Sequence, residues 1–144
     1  MGKKWLDIVY NEKSSIKLKQ HYKSWANDYD QDLIDWGYAY PSQLKKIMSQ
    51  DIKLKKSSKI LDAGCGTGLV AEVLGDMNFK NIVGLDYSLD MLKIAKDKKI
   101  YTRLIQESLN KKTSLRSNQF DVVLCTGVLT SGHVGAKAIN ELIR

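Results

Sequence analysis

Three observations predict an α/β fold built on a parallel sheet. From residue 59 onward, short apolar runs alternate with segments of helical period. One of those runs passes directly into a turn of alternating glycines, Gly64, Gly66 and Gly68, with a helical pattern behind it. Runs such as Val122-Val123-Leu124-Cys125 are continuously apolar, as strands covered on both faces are. Strands separated by helices of this length form βαβ units with right-handed crossovers.

Taken in chain order, residues 1–12 are mixed in character and are expected to be poorly ordered. Between Ser15 and Asp35, and on to Trp36, apolar residues recur every three or four positions: Tyr22, Trp25, Ala26, Tyr29, Leu33, Trp36. That is a helical period, and Gly37 ends it. Pro41 and Ser42 open a second helix with Leu44, Ile47, Met48 and Ile52 on one face. Lys55-Lys56-Ser57-Ser58 connects it to the sheet, so residues 1–58 read as a helical cap segment and 59–144 as the sheet-bearing unit. Strand one is expected at Lys59–Gly64 and helix one at Leu69–Met77. Strand two follows at Asn81–Asp86 and helix two at Ser88–Lys98. A weakly marked strand three lies at Tyr101–Gln106 and strand four at Phe120–Thr126, with another helix over Val134–Ile143.

Composition narrows the class. A chain of 144 residues holds one domain at most, and 43% apolar residues suffice for its core. The net charge of +7, from 23 basic and 16 acidic residues, is carried mainly by scattered lysines that read as a solvated face. Such a field could serve a nucleic-acid or acidic-protein substrate, but no nucleic-acid fold signature accompanies it. No run approaches the ~18 apolar residues of a membrane span, and the start Met1-Gly2-Lys3-Lys4-Trp5-Leu6 lacks a secretory apolar region. Cys65 and Cys125 have no CxxC spacing, which excludes a zinc or redox motif and fits reduced, partly buried thiols in a cytoplasmic protein.

The glycine turn is where chemistry is expected. It lets a ligand approach the backbone and delivers it to the unpaired N–H groups of a helix start. Asp86, 18 residues beyond Gly68, ends the second apolar run, where a carboxylate grips a ribose diol. The pair points to a nucleoside cofactor, although such a turn can also be pure packing and Asp86 could simply favour a helix N-terminus. Ser88 is the better N-cap, which leaves Asp86 freer for a ligand. A dinucleotide fingerprint would need a third glycine at position 69, which is Leu69. A nicotinamide-dependent oxidoreductase is therefore disfavoured.

The pattern Asp62-x-Gly64-x-Gly66-x-Gly68 instead resembles motif I of the class I S-adenosylmethionine (SAM) methyltransferases. Gly84-Leu85-Asp86-Tyr87-Ser88, followed by Met91-Leu92, is similar to the family's second motif, and Phe120-Asp121-Val122-Val123-Leu124-Cys125 to its fourth strand. Gly127-Val128-Leu129-Thr130-x-Gly132-His133-Val134 resembles the methyltransferase-like subgroup related to the Williams–Beuren syndrome region methyltransferase-like protein. The resemblance covers roughly residues 20–144 and implies a Rossmann-like sheet, SAM as cofactor and methyl transfer as activity. It implies a cofactor site of Asp62, Gly64, Cys65, Gly66, Gly68, Asp86, Tyr87, Met91, Glu107, Thr126 and Tyr29. Asp62 would hold the glycine loop, contact the amino-acid end of SAM, or both; Met91 would face adenine or pack in the core. Glu107 or Gln106 stands where relatives carry an adenine-contacting Asp. Tyr22, Trp25 and Tyr29 would cap the pocket or form the stripe of an amphipathic helix. His133 would be a general base or an ordinary loop residue.

The resemblance also implies seven strands in the order 3-2-1-4-5-7-6, and strands five to seven have no counterpart before Arg144. The expectation is therefore an incomplete sheet of about four strands, a truncated form whose strand-four edge is open to a partner. On that expectation turnover is doubtful, and a non-catalytic SAM-binding or partner-binding fragment is the alternative. The acceptor is unknown, with a small molecule favoured.

Overall fold

Residues 60–63 are buried at all four positions, and this places them at the centre of the sheet. In the computed structural model, which describes residues 3–12, 14–50, 52–129 and 134–144, this strand, β1 (Ile60–Ala63), is flanked on both sides. β2 (Ile82–Asp86) lies on one side and β4 (Val122–Leu124) on the other, with β3 (Arg103–Gln106) beyond β2, giving the order β3-β2-β1-β4. All three pairings are parallel, in the register Ile60↔Ile82, Val83↔Arg103 and Ile60↔Val122. The chain thus forms a four-stranded, Rossmann-like parallel sheet with flanking helices.

Side chains alternate across the sheet, and each face has its own apolar cluster. Ile60 and Ile82 pack with Val70, Ala71 and Leu74 of α5 (Leu69–Asp76) and with Leu44 and Met48 of α4 (Tyr40–Gln50). Leu61, Ala63 and Leu85 pack on the opposite face with Ile105, Leu109, Leu115 and Ala138, the last from α7 (Ala138–Leu142). α6 (Leu89–Asp97) starts at Ser88, whose hydroxyl accepts from the Met91 N–H.

Several expectations shift. Residues 3–11 form a helix, α1 (Lys3–Asn11), where order was not expected. The reason is tertiary: Val9 is buried against Leu18 and Trp25, and Trp5 and Leu6 pack onto the same cluster. The single helix expected over Ser15–Asp35 is two, α2 (Ser15–Trp25) and α3 (Tyr29–Asp35). The break falls at Asn27-Asp28, residues whose side chains compete for backbone hydrogen bonds, and the Asp28 N–H closes a turn on the Trp25 carbonyl. β4 is half-buried at all three positions instead of covered on both faces, because it has a strand neighbour only at β1 among the described residues. α7 spans less than Val134–Ile143, beginning only after the turn at residues 136–137.

Of the cap segment expected over residues 1–58, only α1–α3 gather around Trp25 and form the cap, while α4 packs on the sheet. Trp25 stacks near-parallel on Trp5 at 6.0 Å and meets Tyr29 edge-on at 4.6 Å. Its indole N–H, buried and in need of an acceptor, donates to Asp32 Oδ2 at 2.8 Å.

Candidate functional site

A cavity of about 890 Å³, counting its open mouth, lies between the cap and the C-terminal ends of the strands. Crevices outside the carboxyl ends of parallel strands are where such folds bind ligands. Its floor is Gly64, Gly66, Leu85 and Asp86, and Leu18, Tyr22 and Tyr29 of the cap form its roof. Of the residues expected at the site, Tyr29, Gly64, Gly66, Asp86, Tyr87, Met91, Glu107 and Thr126 line the cavity, whereas Asp62, Cys65 and Gly68 lie outside its lining. His133, together with Thr130 and Gly132, falls outside the described residues.

The glycine loop is shaped by what presses on it. Gly64 has φ +78°, and a Cβ there would stand 2.2 Å from Cγ2 of Val128, so only glycine lets the post-β4 loop close down. Over Gly66 nothing lies within 4 Å of where a Cβ would be, so its backbone faces open space.

Asp86 ends β2 and is 8% exposed. Its Oδ2 accepts the Gly66 N–H at 3.0 Å and its Oδ1 the Ser88 N–H at 2.8 Å. Burial pushes its pKa up, and N–H groups of Ser88, Gly66 and Tyr87 pull against that. Both oxygens are held by N–H donors yet retain lone pairs for further hydroxyls.

Asp62 sits beneath the loop. Its Oδ2 accepts from the Tyr101 hydroxyl at 2.7 Å, and its Oδ1 is buried with no partner among the described residues. Burial pushes its pKa up to about 7, tempered by the Tyr101 hydrogen bond and reinforced by the nearby Asp86 charge. Tyr101 reaches this position because Gly84 leaves room: a Cβ on Gly84 would lie 2.8 Å from the Tyr101 ring and 3.0 Å from Cys65 Sγ. A glycine inside a strand signals such close approach, which was the available clue to Tyr101.

Glu107 is already satisfied, since its carboxylate accepts the Ser114 N–H at 2.8 Å and the Ser114 hydroxyl at 2.5 Å. Gln106 donates from Nε2 to the Tyr87 carbonyl at 3.3 Å. Burial raises the pKa of the phenols of Tyr22, Tyr29 and Tyr87, so they stay protonated at neutral pH. The hydroxyl of Tyr87 is buried and unpartnered among the described residues. Cys65 and Cys125 are free; burial raises both thiols, Cys125 to about 11, so neither is a thiolate. Among the described residues no group of three metal-ligating side chains gathers, and no helix is long and apolar enough to cross a membrane.

A profile of the methyltransferase domain family matches residues 61–144, a span that runs from β1 through the cavity floor to the end of α7. The chain belongs to this family. It is 37% identical over 123 residues to human methyltransferase-like protein 27, which covers 84% of this chain and 50% of that protein. An S-adenosyl-L-methionine-dependent methyltransferase structure from Methanococcus maripaludis superposes with a TM-score of 0.69 over 85% of this chain and 57% of the other, at 21% identity. A DhpI-SAM-HEP complex superposes with a TM-score of 0.57 over 74% of this chain and 47% of the other, also at 21% identity. At such identities these two matches establish the class I methyltransferase fold. The chain spans between about a third and a half of the length of the curated relatives it matches.

SAM is the family's cofactor, and the cavity residues fit it. A nucleoside needs a hydroxyl acceptor and apolar surface in one cavity, and Asp86 shares this one with Met91, Leu109 and Tyr29. An amino-acid end needs backbone approach, and the open space over Gly66 offers it.

Proposed function

We propose that this methyltransferase-family chain binds SAM in the cavity under α2 and α3 and serves methyl transfer to a small-molecule acceptor. The single observation that carries the reading is the convergence of Asp86, Gly64 and Gly66 on one cavity of ligand size. When bound, SAM supplies a methyl group already activated by its sulfonium charge. The protein's part is then positioning and exclusion of water.

In this reading Asp86 accepts both ribose hydroxyls while the Gly66 and Ser88 N–H groups hold its carboxylate in place. Gly64 and Gly66 admit the methionine portion to the backbone. Tyr22, Tyr29, Met91 and Leu109 enclose the base and keep water out. Thr126 and Gly127 form the acceptor-side wall. A small acceptor is supported by the largely apolar lining. A cytoplasmic setting is supported by two free, protonated thiols. The outer edge of β4, unpaired among the described residues, supports completion of the sheet by a further strand.

The test is calorimetric titration of S-adenosylhomocysteine into the protein and into Asp86→Asn and Asp86→Ala. Saturable binding that weakens by about a hundredfold in Asp86→Ala, with smaller loss in Asp86→Asn, is expected from losing charged hydrogen bonds to two hydroxyls. Absence of binding by folded wild-type protein overturns the reading.

A further inference from the structure

Four side chains from three distant parts of the sequence meet behind the glycine loop, outside the cavity. Lys98, at the C-terminal end of α6, places Nζ 2.7 Å from Asp30 Oδ2 and 2.9 Å from Glu72 Oε2. Asp30 lies in the first turn of α3 and Glu72 in the first turn of α5, so each carboxylate stands at a helix start and the ammonium at a helix end. The other oxygen of Asp30 accepts from the hydroxyl of Thr67, which is 1% exposed and lies between Gly66 and Gly68. The stem of Lys98 runs along the loop as well: a Cβ on Gly68 would lie 3.5 Å from its Cδ.

These contacts join the cap to the sheet unit at the glycine loop, apart from the packing of α2 on α6. The cap has its own aromatic cluster of Val9, Leu18 and Trp25 with their neighbours, separate from the two clusters of the sheet. Tyr29, next to Asp30 in the chain, belongs to that cluster and to the cavity roof. The Lys98 side chain is 15% exposed and that of Asp30 29%, so the pair is sheltered from the screening that weakens surface ion pairs.

We propose that Asp30 and Lys98 are positioning residues for the cofactor, fixing Tyr29 in the roof and the Thr67 segment in the floor as one rigid wall. The proposal rests on the reading that this cavity binds SAM. The pair touches no ligand; it preorganises two walls that come from distant parts of the chain, and so lowers the ordering cost of binding. By linkage, a bound ligand tightens the cap to the same degree that the clamp tightens the ligand.

The experiment measures S-adenosylhomocysteine affinity by calorimetry, ligand-free melting temperature, and amide exchange at Gly66 and Gly68. The variants are Asp30→Asn, Lys98→Met, Lys98→Arg and Thr67→Val. Asp30→Asn and Lys98→Met are expected to weaken binding by about tenfold or more and to speed loop exchange, as loss of a charge-assisted tether predicts. Lys98→Arg, which keeps the charge, is expected to restore affinity to within about threefold of wild type. Unchanged affinity in folded Asp30→Asn and Lys98→Met, or a loss that Lys98→Arg does not restore, overturns the assignment while leaving the cofactor reading intact. If either charge variant fails to fold, Thr67→Val decides, because it leaves the ion pair in place. A loss of about threefold or more with faster loop exchange supports the clamp, and unchanged affinity sinks it. Wild-type protein that binds no S-adenosylhomocysteine takes down both readings.

Discussion

The cap and the sheet are held together by different physics. In the sheet unit, aliphatic side chains pack on both faces of a hydrogen-bonded ladder, and two acids, Asp62 and Asp86, are buried at its C-terminal end. In the cap, three short helices converge on one indole, Trp25, ringed by Trp5, Tyr22, Tyr29 and Trp36, and no acid is buried among its described residues. Strands set the floor of the cavity, while an aromatic cluster, joined to the sheet unit by α2 on α6 and by the Asp30–Lys98 pair, sets its roof. A ligand between them touches both.

Acidity sharpens the contrast most. Asp62 is pushed from an ordinary 3.8 to about 7, so the folded chain holds a proton that the unfolded chain releases. The resulting stability is fully present below about pH 4 and is lost as pH rises through about 7. At about 1.4 kcal/mol per pH unit over that rise, the loss is about 4 kcal/mol. Asp86 is displaced in the same direction and adds to the slope. Melting curves of wild type and Asp62→Asn between pH 4 and 8 check this: the slope should be shallower in the variant and should belong to the sheet, with cap tryptophan fluorescence following only once the sheet unfolds. The next effect is in the cap. Trp25→Ala removes the hub of the aromatic cluster and should destabilise by about 3 kcal/mol, near the low end for a buried tryptophan because neighbouring rings can lean inward. Hydrogen exchange should then show α1–α3 opening while amides of β1 and β2 stay protected. A smaller effect, about 2 kcal/mol, is expected for Gly64→Ala, from the contact with Val128 and the positive φ. Chemical denaturation of this variant should show a lower midpoint with an unchanged slope, since the same surface is exposed.

Legibility in the sequence followed the same division. β1, β2 and α6 could be read because their signals are local: a continuous apolar run, a glycine turn and a serine cap. The cap was harder. Trp5, Leu6 and Val9 give α1 its meaning only once Leu18 and Trp25 are opposite them. The α2–α3 break was hidden because the period of Trp25, Tyr29 and Leu33 carries through it. Asp86 and the glycines announced a site through their spacing. Tyr101 and the Asp30–Lys98 pair did not, since their partners lie 39 and 68 positions away, beyond any local pattern.

The contact between Gly64 and Val128 has an evolutionary consequence. The two positions share one volume, so neither is free to vary alone. A larger residue at 128 deepens the demand for glycine at 64, and a substitution at 64 becomes tolerable only after 128 has shrunk and only for residues at ease with positive φ, such as asparagine. The pair is an epistatic hinge between the first and fourth strand loops, and the order in which mutations arrive there decides which lineages keep the cavity.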